Sequence, residues 1–126
     1  MIRSRWGRSI MDMMIQEHTY EQLLEPAKGY AYEGIVSLTL VQLDRAKECA
    51  TKEGISIPDE VLQEVEDTAY RKGAEATLIF AKNNISEGLK SLALVQLKKA
   101  KEYAIKANLD ISERVQEIQL SLKNTC

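Results

Sequence analysis

Shifted by 54 residues, the chain overlays on itself: SLTLVQL at 37–43 meets SLALVQL at 91–97. Glu33-Gly34 meets Glu87-Gly88, and Ala46-Lys47-Glu48 meets Ala100-Lys101-Glu102. Ala50, Lys52, Ile57 and Val61 meet Ala104, Lys106, Ile111 and Val115, so about half of the positions from Glu33 to Val61 are identical without a gap. Chance similarity between Leu-rich helices rarely runs that far. The spacing predicts an internal duplication, each unit a long helix, a turn and the start of a second helix, over about 31–83 and 86–124.

Local chemistry agrees with helices. Ala, Leu, Glu, Lys and Gln are abundant and there are only two prolines. In KEGISIPDE, Gly54 stands where a helix C-terminus wants a left-handed residue, and Pro58 just inside the next helix. Ser56 and Asp59 form a start signal there, and Asp110 and Glu113 repeat it, with Asn108 in place of Gly54. KNNISEG supplies a further break, with Asn84 as its expected cap and Glu87 three residues on.

The resulting map places a first helix within 9–25, starting near Ser9 or at Thr19/Gln22 and ending or kinking by Pro26. Further helices are expected over about 31–53, 58–83, 86–107 and 112–123. Short connections make successive helices antiparallel. The expected fold is a single domain over 1–126, preceded at 1–13 by a flexible or swapped arm. It is an all-α, up-and-down helical bundle of about five helices, built from a duplicated helix-turn-helix hairpin with a 54-residue period.

At 100° per residue, Ile35, Val36, Leu43, Ala46 and Ala50 share one side of the second helix, widened by Leu38, Leu40 and Cys49, with Val41 nearly opposite. Leu89, Leu92, Leu94, Leu97, Ala100 and Ala104 repeat this in the fourth, with Val95 as the outlier. The third helix carries one stripe of Val61, Leu62, Val65, Ala69, Gly73, Ala76, Ile79 and Phe80, whose small central residues let another helix come close. Gln42 and Gln96 fall inside the apolar arc of both copies. They are a buried polar pair bonded across a pseudo-twofold, or one of them bonds a backbone carbonyl freed near a helix end, or they are amides at the rim with a wet tip.

The stretches AKGYAYEGIVSLTLVQLDRAKECA and AKNNISEGLKSLALVQLKKAKEYA resemble the helical hairpins of tetratricopeptide and microtubule-interacting-and-transport modules. There a turn leads into Glu-Ala-Leu, and a small residue sits where two helices cross. Gly34 and Gly88, followed by Ile35 and Leu89, would be that small residue here. The likeness covers one turn and one helix per copy. The period is 54 rather than 34, and the aromatic and proline signposts of the tetratricopeptide pattern are missing. The resemblance implies a protein-binding role for the hairpins.

Chemistry is poorly provided for. His18 is the only histidine, so zinc sites, di-iron Glu-x-x-His patterns and Ser-His or Cys-His nucleophiles are not expected. Cys49 is expected as a buried, inert thiol, and Cys126 as a mobile terminal one. Two cysteines without metal or redox spacing fit a reduced, cytoplasmic setting. The acids Asp59, Glu60, Glu64 and Asp67 suit a helix N-terminus better than paired catalytic carboxylates. No phosphate-binding glycine loop is present. Charges interrupt every apolar run well before about 18 residues, so no membrane span is expected. Asp12, Gln16 and Glu17 deny the N-terminus the apolar core of an export signal.

The expected role is a non-enzymatic protein–protein interaction module without cofactor or metal, self-associating as a homo-oligomer, with a dimer favoured. Val41, Val95, Trp6, Ile10, Met13 and Met14 are the interface candidates. The alternative is a small nucleic-acid-associated regulator using Arg3, Arg5 and Arg8 of the arm with Lys98, Lys99 and Lys101. A formal charge of -2 gives that alternative no bulk support. An enzyme would need a polar pocket, for which Gln42, Gln96, Tyr30, Tyr32 and Tyr103 are the only residues to inspect.

Overall fold

The computed structural model describes residues 19–124. Among them are five α-helices and no strand: α1 Tyr20–Glu33, α2 Val36–Lys52, α3 Asp59–Ser86, α4 Lys90–Lys106 and α5 Ser112–Asn124. They pack as a helical bundle, with α3 against all four others.

The described α1 begins at the Thr19/Gln22 signal, where the Thr19 Oγ1 accepts a hydrogen bond from the Gln22 N–H at 3.4 Å, while the start near Ser9 lies outside the described residues. The expected end or kink at Pro26 is not the end: the helix runs through it to Glu33. Proline in a helix interior costs about 3 kcal/mol, partly through one lost donor. Pro26 and Gln22, whose carbonyl loses that donor, are both exposed, so the vacant acceptor is open to solvent rather than buried. Beyond the proline, Ala27 and Ala31 are fully buried and Gly34 is seated on α3, which is what extends the helix. Pro26→Ala should therefore stabilise the protein by about 1–3 kcal/mol, read as a raised denaturation midpoint; an unchanged midpoint would show that the ring costs α1 nothing.

Helix ends follow the left-handed residues. Gly34 and Gly88 have φ of 78° and 80°. The Gly34 N–H bonds the Ala31 carbonyl and the Ile35 N–H that of Tyr30; Gly88 and Leu89 make the same two bonds to Ile85 and Asn84. These glycines end helices rather than lying inside the next ones. The second helix accordingly begins at Val36 instead of about 31, and α3 extends to Ser86 instead of about 83. Asn84 is no cap; it is the last-turn residue whose carbonyl closes the motif. Gly54 and Asn108 end α2 and α4 at the places read from sequence, with φ of 73° and 54°.

At the next helix start, Pro58 is the N-cap and Asp59 the first helical residue, one position from expectation. Ahead of α5, Asp110 accepts from the hydroxyl and the backbone N–H of Ser112. Those two bonds hold its carboxyl below the ordinary range.

The largest departure lies in α3, whose 28 residues do not bury one stripe. Val65 and Ala69 face α1 and α2; beyond Gly73 the buried residues are Ala74, Thr77, Leu78, Ala81 and Ile85, which face α4 and α5. Ile79 and Phe80, expected in the stripe, are 55% and 58% exposed. Different neighbours claim different sides of one continuous helix, so the buried face rotates midway. The switch sits at the predicted small residue: a Cβ on Gly73 would lie 2.9 Å from Val36 Cγ2 and 3.1 Å from Tyr103 Cδ2. Gly34 approaches the same point, where its Cβ would meet the Lys72 carbonyl at 2.9 Å. Gly88 has open space around it and marks no crossing.

Two apolar clusters result. One joins α1, α2 and the first half of α3 around Leu24, Leu43 and Val65; the other joins the rest of α3 to α4 and α5 around Leu78, Leu97 and Ile118. Tyr103 packs against both, tilted on Tyr70 at a ring separation of 5.7 Å.

Candidate interaction surfaces

Helices α2 and α4 bury matching faces: Thr39, Leu43, Ala46 and Ala50 on one, Ala93, Leu97, Ala100 and Ala104 on the other. Thr39 reaches the interior only because its hydroxyl donates to the Ile35 carbonyl at 2.8 Å, one turn back. Opposite these faces, Val41 and Val95 are 51% and 60% exposed, on the outside as the periodicity implied. Leu38 and Leu92 are exposed beside them.

Gln42 and Gln96 are half-buried, and among the described residues no hydrogen bond joins them. Gln42 Oε1 instead accepts from Arg45 at 3.5 Å. The arm residues Trp6, Ile10, Met13, Met14, Arg3, Arg5 and Arg8, and also His18, lie outside the described residues. Lys98, Lys99 and Lys101 are exposed along α4, with the Lys99 ammonium 5.9 Å from the Tyr103 ring centre.

The residues named for an enzymatic pocket have separate environments. Tyr32 is exposed on α1, with the Lys72 ammonium 4.8 Å from its ring centre, while Tyr103 fills the seam between the clusters. Burial first, then electrostatic repulsion from Glu66 and Tyr103, pushes the Tyr70 hydroxyl above its ordinary range. Cys49 is half-buried rather than buried, because it lies at the edge of α2's inward arc. Desolvation, then the Glu53 carboxylate to which its thiol donates at 3.6 Å, raises its pKa, so the nucleophilic thiolate is disfavoured at neutral pH. Among the described residues no three His, Cys, Asp or Glu are grouped to hold a metal ion. No described helix is long and apolar enough to cross a membrane.

Periodicity missed one feature, the concentration of exposed apolar side chains on the second half. Ile79, Phe80, Ile105 and Leu120 are exposed where the first half, 54 residues earlier, has Glu25, Pro26, Thr51 and Glu66. Reading the two halves for their differences, rather than for their identities, would have found these positions. The described fold is thus an all-helical bundle with exposed apolar residues along its outer edges. The chain matches no protein-family model, and no curated protein or solved structure is significantly similar to it.

Proposed function

We propose that this protein is a non-enzymatic helical interaction module of the cell interior, built from a duplicated hairpin with a 54-residue period, and that it associates with itself through the outer edges of α2 and α4. Supporting the duplication, Leu24, Ala27, Leu43, Ala46, Ala50 and Ile57 are buried, as are Leu78, Ala81, Leu97, Ala100, Ala104 and Ile111 at 54 residues' distance. The period slips in α5, which buries Ile118 where strict spacing from Val65 would give Gln119.

The observation that carries the self-association is the exposure of Leu38 and Val41 with their counterparts Leu92 and Val95, four apolar side chains on two helices whose inner faces are already satisfied. An isologous contact would bury them all. It would also bring α4 lysines near their symmetry mates, so association should strengthen as salt rises. Sedimentation across a concentration series tests this. A dimer is expected, converted to monomer by Val41→Lys with Val95→Lys at unchanged helix content; a native chain that stays monomeric at roughly 500 μM overturns the reading.

A further inference from the structure

We propose that the groove between α4 and α5 is a docking site for an amphipathic helix of another protein, one that carries acidic residues beside its apolar stripe. The inference rests on the interaction-module reading but uses a face different from the one assigned to self-association.

The two helices share buried side chains near their connection, at Ile111 and Val115, yet are not among the closely packed pairs. Along the gap lie two cavities of about 400 and 680 Å³, both touching Gln116. Ile105 and Leu109 line the first; Leu94, Leu120 and Leu122 line the second. Leu94, Leu120 and Ile105 are among the exposed large apolar residues of the described chain. On α4, residues 94, 98, 101 and 105 follow one another at helical spacing, so the stripe facing the groove reads Leu-Lys-Lys-Ile over about 16 Å. An apolar helix of about three turns spans that length.

The charge is specific to this half of the molecule. At the corresponding positions of α2, Asp44 and Lys47 form an ion pair at 4.0 Å, and Leu40 is half-buried against the core. On α4 the aspartate has become Lys98, none of the lysines there is in an ion pair among the described residues, and Leu94 is 55% exposed. The helix holds five lysines against the single acid Glu102. Lys123 stands at the groove's far lip. That sign disfavours the two nearest occupants: the same edge of a second copy would bring the same lysines, and the segment before Thr19 sets Arg3, Arg5 and Arg8 against only Asp12 and Glu17. An apolar helix flanked by Asp or Glu satisfies both the floor and the rim.

The test uses two labelled peptides of about 18 residues with an identical leucine stripe, one flanked by Glu and the other by Lys, titrated with the full-length protein by fluorescence anisotropy. The Glu peptide should bind at least about tenfold more tightly, and its binding should weaken with salt, opposite to the expected salt response of self-association. Lys98→Asp, which restores the α2 arrangement, and Leu94→Ser should each weaken it by about tenfold or more, whereas Val41→Ser should not. Equal binding of both peptides, or no binding at roughly 1 mM, overturns the proposal and leaves the sedimentation result untouched. So does a single-stranded oligonucleotide that displaces the Glu peptide and is indifferent to Leu94→Ser, because α4 would then be a polyanion site without an apolar requirement.

Discussion

Gly34→Ala should cost about 2–5 kcal/mol of folding stability, while the matching substitution Gly88→Ala should cost only about 1–2 kcal/mol. Both glycines are left-handed, at φ of 78° and 80°, so any side chain meets the same conformational penalty. What differs is space. A Cβ on Gly34 lies 2.9 Å from both the carbon and the oxygen of the Lys72 carbonyl, part of the backbone of the central helix, which cannot swing aside as a side chain can. Nothing lies within 4 Å of a Cβ on Gly88. Urea denaturation at unchanged m-value measures both losses. Equal losses would mean that the α1–α2 turn is not held against α3.

Leu43→Ala and Leu78→Ala should each remove about 2–5 kcal/mol, and each should lower one and the same unfolding transition. Leu43 is 1% exposed in the first cluster and Leu78 fully buried in the second. The clusters are separate in side chains but not in backbone, since α3 runs unbroken through both and Tyr103 packs on each. Far-ultraviolet circular dichroism and the tyrosine signal should coincide in both variants. If Leu43→Ala instead split the transition, the hairpins would be independent folding units and α3 would merely join them.

Much of the local structure was legible in the sequence. Four of the five helices are legible to within a few residues, and Gly54 and Asn108 mark helix ends because few residues adopt a positive φ without penalty. Gly34 and Gly88 belong to the same class, yet the apolar period runs through them and places them inside the following helix. Packing overrides two break signals, Pro26 and the expected cap Asn84: neither forbids a helix, each only costs something, and buried neighbours such as Ala27 and Ile85 outweigh it. Of the candidate surface, the outward position of Val41 and Val95 followed from period alone. The α4–α5 groove did not, because it depends on how far apart two helices stand.

By itself, then, the sequence determined roughly where most of the helices lie, which residues are small, and that one pattern is spelled twice. These are properties of a residue and its near neighbours along the chain, governed by backbone sterics and a 3.6-residue period. Tertiary structure alone decided which side of α3 is inside. Its first half is claimed by α1 and α2 and its second by α4 and α5, so the buried face turns at Gly73, leaving Ile79 and Phe80 on the surface where a straight stripe would bury them. Periodicity describes an isolated helix, whereas burial is set by the neighbours that reach it.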